Sequence, residues 1–195
     1  MKNTFLALAL ASAGLVAAPL AAHAQDNGGF FVNGNVGKAS VDDGVYDDED
    51  TAFGVNLGYR WSVSPGFAIG VEGGYVDLGK YAPKSNIVLP VGQFLGDAEL
   101  DGFTAGVNGR FNLGDNWYIS GRTGLFRADV KGDYLAAGIP TRVDDTSNKW
   151  YAGAGFGYDF SNNFSVGLNF DHYELDKKNL DLNSNLISVS AEARF

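Results

Sequence analysis

Glu72, Arg110, Arg122, Asp159, Asp171, Glu192 and Arg194 each fall on the small or polar row of a segment whose other row is apolar. Acids and guanidiniums in that arrangement do electrostatic work. Taken out of water they must pair and share hydrogen bonds, because an unpartnered buried charge costs several kcal/mol, on the order of 3–5. The chemistry they offer is a charge network across an enclosed space. Catalytic constellations are sparse by comparison. Histidines occur only at positions 23 and 172, and the chain has no cysteine, so neither thiol chemistry nor a disulfide framework is available. There is no Walker motif, no Cys/His metal cluster and no nucleotide loop, and no cofactor is implied.

The elements that hold these charges alternate at a period of two, the pattern of half-buried strands. Eight such segments run Gly29–Lys38, Ala52–Trp61, Phe67–Leu78, Leu100–Leu113, Asn116–Val130, Trp150–Phe160, Phe164–Leu175 and Asn185–Phe195. Each is near the roughly 9–11 residues that a tilted transmembrane strand needs. In the second, Phe53, Val55, Leu57, Tyr59 and Trp61 oppose Ala52, Gly54, Asn56, Gly58 and Arg60. In the fourth, Phe103, Ala105, Val107 and Phe111 oppose Thr104, Gly106, Asn108 and Arg110. In the last, Ile187, Val189, Ala191, Ala193 and Phe195 oppose Ser188, Ser190, Glu192 and Arg194.

The connectors alternate too. Ser62–Gly66, Gly114–Asp115 and Ser161–Asn163 are tight and rich in turn residues, whereas Ala39–Thr51, Gly79–Glu99, Lys131–Lys149 and Asp176–Ser184 are long. Short turns on one side and long loops on the other predict an eight-stranded antiparallel up-and-down transmembrane β-barrel, with short periplasmic turns and long extracellular loops. Arginine facing lipid near the midplane would cost roughly 2–4 kcal/mol. The apolar row therefore faces hydrocarbon and the charged row faces the lumen, and a slip of one residue would invert the whole set. Eight strands leave a lumen just wide enough for side chains to fill, so a packed polar core of acids and arginines is expected.

The N-terminal region fits export. Lys2, the apolar run Phe5–Val16, Pro19 and Ala22-His23-Ala24 form a secretory signal peptide over residues 1–24, with cleavage between Ala24 and Gln25. Residues 25–195 then form a single barrel domain. Removing the leader takes one lysine and no acid, which moves the formal net charge from −9 to −10 and makes nucleic acid an unsuitable partner. Glycine (27) and aromatic residues (14 Phe, 9 Tyr, 3 Trp) outnumber the 5 prolines. That suits bent strands and aromatic girdles at two membrane interfaces.

Two stretches carry a family resemblance. Val71-Glu72-Gly73-Gly74-Tyr75-Val76-Asp77-Leu78-Gly79 and Ser120-Gly121-Arg122-Thr123-Gly124-Leu125-Phe126-Arg127-Ala128-Asp129 resemble the third and fifth strands of the OmpA transmembrane domain and its small OmpX/Ail-type, porin-like relatives. The resemblance covers residues 25–195. It implies an integral protein of the Gram-negative outer membrane, a monomer surrounded by lipid bilayer and lipopolysaccharide. It also implies an interior Glu72 paired with Arg122 or Arg110 to plug the lumen. Gly167 stands where the family's seventh strand often carries an arginine. The resemblance does not extend to a peptidoglycan-binding domain, so an anchoring role is not carried over. Ile187, Val189, Ala191, Ala193 and the terminal Phe195 resemble the assembly signal read by the outer-membrane barrel assembly machinery.

Three further features have alternative readings. Asp42, Asp43, Asp47, Asp48, Glu49 and Asp50 form either a divalent-cation or lipopolysaccharide-bridging patch or a solvated acidic loop. Ile87–Val91 with Phe94 and Leu95 form either a docking patch for an extracellular partner or a segment folded on the rim or in lipid. His172, in Asp171-His172-Tyr173-Glu174, lacks the His-x-Ser pattern of the outer-membrane deacylase PagL, and the N-terminal histidine of the palmitoyltransferase PagP is absent. An aromatic-belt histidine is expected. The functional expectation is a non-catalytic structural barrel whose loops mediate surface contact or envelope integrity. A narrow ion or solute channel and a lipid-A-modifying enzyme are the alternatives.

Overall fold

The computed structural model describes residues 28–41, 48–81, 98–136, 139–174 and 183–195. The signal peptide with Ala24 and Gln25, most of the acidic loop and the apolar run of the second loop lie outside the described residues.

The strands are β1 (Gly28–Val41), β2 (Asp48–Ser64), β3 (Phe67–Tyr81), β4 (Ala98–Asn112), β5 (Trp117–Ala136), β6 (Ile139–Ser161), β7 (Phe164–Tyr173) and β8 (Ser184–Arg194). They close in sequence order into an antiparallel barrel. β8 returns to β1 through a register that includes Val36↔Val189 and Phe31↔Arg194. Closure removes sheet edges around the wall, which a membrane requires because hydrocarbon cannot satisfy exposed backbone polar groups.

The tight turns sit where the chain permits sharp reversal. Gly66 (φ +81°) follows Pro65 between β2 and β3, and Gly114 (φ +93°) lies between β4 and β5. Both conformations belong to glycine. At the opposite end the strands outrun the lengths expected of them. The presumed loop Lys131–Lys149 is largely a ribbon, with β5 and β6 paired rung by rung up to Ala136↔Ile139. Hydrophobic alternation marks only the part of a strand that meets lipid. Residues 131–149 carry no such alternation, so the segment reads as a loop.

The alternation decides the faces. Phe53, Leu57, Val107 and Phe156 of the apolar row are exposed on the outer wall, Leu57 at 63%. Tyr118, Phe126 and Glu72, one residue out of phase with that row, are buried inside. No helix among the described residues is long and apolar enough to cross a membrane, and the strands do the spanning.

The interior divides by height. Toward the long-loop end every strand contributes to an apolar layer: Ala39, Ala52, Val76, Leu78, Leu100, Phe126, Ala128, Tyr151, Tyr173 and Leu186. Toward the short turns the filling is polar and charged. The expected wholly polar core is therefore corrected. The polar rows of β3, β4, β5 and β8 turn apolar near their long-loop ends, and those residues stack on one another.

Candidate functional site

The charged part of the lumen is built of close ion pairs, most of them linked to one another. Arg122 forks onto Asp171, with Nε donating to Oδ1 at 2.7 Å and Nη2 to Oδ2 at 2.6 Å. Arg110 Nη2 donates to both oxygens of Asp159, at 2.7 and 2.6 Å, and Arg194 Nη2 reaches the same Oδ1 at 2.6 Å. Arg60 donates to Glu192 through Nη1 (2.6 Å) and Nη2 (2.9 Å), and Arg110 Nη1 lies 3.7 Å from Glu192 Oε1. Such charge-assisted, bidentate bonds are the strong class. Aromatic faces complete two of the arginine sites: Arg60 stacks over Phe31 at 4.0 Å and Arg110 over Tyr118 at 3.5 Å.

Glu72 departs from the expected pairing. Neither Arg122 nor Arg110 forms an ion pair with it among the described residues. It accepts hydrogen bonds from Tyr151 Oη at 2.9 Å and Asn108 Nδ2 at 3.1 Å. The register explains the long reach from β6 to β3. Glu72 stands opposite Gly106, Gly106 opposite Gly124, and Gly124 opposite Tyr151. Two glycines at one height leave a lane along which the tyrosine crosses two strands. A methyl group on Gly106 would meet the Tyr151 hydroxyl at 2.6 Å. Arg122 is meanwhile drawn to Asp171 across Gly153, at the same height on the intervening strand. Arg60 likewise reaches Asn108 Oδ1 (2.7 Å) across Gly70.

Arg60 is the member that sequence reasoning missed. Its position on the polar row of β2 was apparent, and the signal that would have added it is the pairing of that row with Gly70 and then Asn108. Arg60, Arg110 and Arg194 are linked with Glu72, Asp159 and Glu192, Arg122 and Asp171 form a pair of their own, and the formal charges of the set balance.

Little open space remains. A cavity of about 40 Å³ lies among Asn33, Asn56, Glu72, Arg122 and Glu192. A wider cleft of about 660 Å³ opens at the short-turn mouth beside Arg60, Asp159, Arg194 and Phe195. The space beside Gly153, Gly155 and Gly157 on β6 is occupied by neighbouring side chains. A Cβ on Gly153 would collide with Asp171, on Gly155 with Asn169 and Ser120, and on Gly157 with Tyr118.

His172 lies outside this network. Its Nδ1 is 2.8 Å from Asn185 Oδ1 and its ring is 5.6 Å from that of Trp150. No serine or carboxylate hydrogen-bonds to it among the described residues, and none of their His, Cys, Asp and Glu groups is arranged to hold a metal. Of the proposed assembly residues, Ile187 and Val189 are exposed on the outer wall and Ala191 and Ala193 are half-buried. The Phe195 amide donates to Phe30 O at 2.9 Å.

Comparison with known proteins agrees with this architecture. The barrel is similar to Ail, the attachment invasion locus protein of Yersinia pestis (TM-score 0.60, 17% identity, covering 88% of this chain and 100% of that one). It is also similar to Neisserial surface protein A, NspA (TM-score 0.57, 14% identity, 85% and 97% covered). OprG from Pseudomonas aeruginosa is a third such structure (TM-score 0.56, 12% identity, 87% and 96% covered). At these identities the likeness shows the fold. No curated protein matches in sequence. The family model for the outer membrane protein beta-barrel domain matches residues 7–195, so the chain belongs to that family and is a small β-barrel protein of the Gram-negative outer membrane.

Proposed function

We propose that this protein is a closed, non-catalytic structural barrel that presents its long-loop end for contact at the cell surface and supports envelope integrity. The observation that carries the reading is the double filling of the lumen. An apolar layer drawn from all eight strands sits above a charge-balanced network, and the glycines that would widen a channel are filled by neighbouring side chains. Moving an ion through such a lumen would require desolvating it beside Phe126 and Tyr173 and breaking bidentate pairs below. His172, bonded to an asparagine rather than to a nucleophile and an acid, favours this reading over lipid modification.

Planar-bilayer recording of the refolded protein tests it. The expected result is a quiet membrane over the range in which open porins conduct. Discrete, reproducible current steps would replace this reading with the narrow-channel alternative, in which the Arg122–Asp171 and Tyr151–Glu72 contacts would have to open.

A further inference from the structure

The apolar layer is bulkier on one side of the lumen than on the other. From β3 to β7 it includes Leu78, Leu100, Phe126, Tyr151 and Tyr173, whereas from β8, β1 and β2 it is Leu186, Ala39 and Ala52. Leu186 stands opposite Ala39, and Ala52 stands opposite Gly37, which has no side chain to add. One leucine and two methyl groups close this side.

Below the layer the two sides differ again. The β5 and β7 side holds the Arg122–Asp171 pair. The β8, β1 and β2 side carries uncharged amides and hydroxyls, among them Asn33, Asn35, Asn56, Ser188 and Ser190. Asn33 faces inward, in phase with buried Phe31 and Asn35, yet it is only half-buried, so open space reaches it from within. That space is the cavity of about 40 Å³ bordered by Asn33, Asn56 and Ser190, with room for about three water molecules. Asn35 and Ser188 are the next inward positions above Asn33 and Ser190. Asn35 Oδ1 and Ser188 Oγ are buried and have no hydrogen-bond partner among the described residues. Buried polar atoms are seldom left so, and ordered water supplies the partner where protein does not. Downward, the cavity shares Phe31, Arg60 and Arg110 with the cleft of about 660 Å³ at the short-turn mouth, so the two spaces meet at that ledge.

We propose that the β8–β1–β2 side of the lumen is a blind hydrated channel, entered from the short-turn mouth and stopped by Leu186, Ala39 and Ala52; this rests on the reading of the barrel as closed. Its ligand is water, held at the blind end by Asn35 Oδ1 and Ser188 Oγ. Water suits the site better than an ion does. The arginines and acids around the cavity already balance one another, so an added ion would be desolvated without a counter-charge. Water both donates and accepts, which matches a lining of amides and hydroxyls. Leu186 is the only bulky member of the stop.

Magnetisation transfer from water, read by NMR on the refolded barrel in nanodiscs, tests the proposal. The side-chain amides of Asn33, Asn35 and Asn56 should show direct cross-peaks to water, and the methyl groups of Ala39, Ala52 and Leu186 should show none. Leu186→Asn should carry the water contacts up to the Ala39 and Ala52 methyls, whereas Leu186→Met should leave them dry. Folded gel mobility checks both variants, and Leu186→Ser replaces an asparagine variant that does not fold. Three results would overturn the proposal: no water contact at Asn35 in the parent (a dry lumen), water already at the Ala39 methyl in the parent (no stop), or dry Ala39 and Ala52 methyls in the polar variant (a stop elsewhere). Current in a planar bilayer would strike the closed-lumen reading, whereas the water contact at Asn35 is measured apart from it and fails on its own.

Discussion

Arg122 and Phe126 stand four residues apart on β5, both pointing into the barrel, and each closes the lumen by a different means. Arg122 belongs to the lower region, where it is held by two directional bonds to Asp171. Phe126 belongs to the upper region, fully buried against Tyr173 with ring centroids 5.1 Å apart. Removing one partner below strands a charge, whereas removing a side chain above leaves only a void. Closure by apolar packing needs volume and little geometry. Closure by ion pairs needs geometry, because desolvated charges are tolerated only when satisfied. Tyr151 joins the two regions, with its ring stacked on Tyr173 at 5.8 Å and its hydroxyl on Glu72.

The contrast can be broken from below first. Asp171→Ala should destabilise the refolded barrel by about 3–5 kcal/mol in urea unfolding from vesicles, because Arg122 is left buried without its acid. The double replacement Arg122→Met with Asp171→Leu should recover most of that loss. If the double variant is as unstable as the single one, the pair is not what the lower region depends on.

From above, Phe126→Ala should cost roughly 3 kcal/mol by lost burial and a residual cavity. No second substitution in the ion-pair layer should rescue it. Rescue by a larger side chain at neighbouring Leu186 or Ala128 would sharpen the picture of a layer governed by volume alone.

The smallest effect is expected at the junction. Tyr151→Phe keeps the ring and removes one hydrogen bond to a carboxylate, a loss of about 2 kcal/mol. Gly106→Val should exceed that loss, because its side chain would press on the Thr123 carbonyl as well as on the Tyr151 hydroxyl. A variant at Gly106 as stable as the parent would show that the lane is not needed.

Much of this was legible in the residues. Alternation in Ala52–Trp61 and Leu100–Leu113 placed Leu57 and Val107 on lipid and Arg110 inside, since inverting either strand would put a guanidinium in hydrocarbon. Pro65-Gly66 and Gly114 marked short turns through their backbone preferences. The hairpin beyond Lys131 was not legible, because its residues carry no hydrophobic period. The partner of Glu72 was not legible either. Its choice of Tyr151 over an arginine depends on Gly106 and Gly124 standing level with it on two other strands.

The amino-acid sequence by itself determined the number of strands, which face of each meets lipid and the inventory of charges inside, since each of these depends on residues within one strand and on the cost of exposing them. Only the tertiary structure decided which charge meets which, where the lumen turns from polar to apolar, and how far β5 and β6 stay paired beyond the last rung of β6 against β7. Those outcomes depend on the relative heights of strands distant in the chain, and height is set by the register of the closed barrel as a whole.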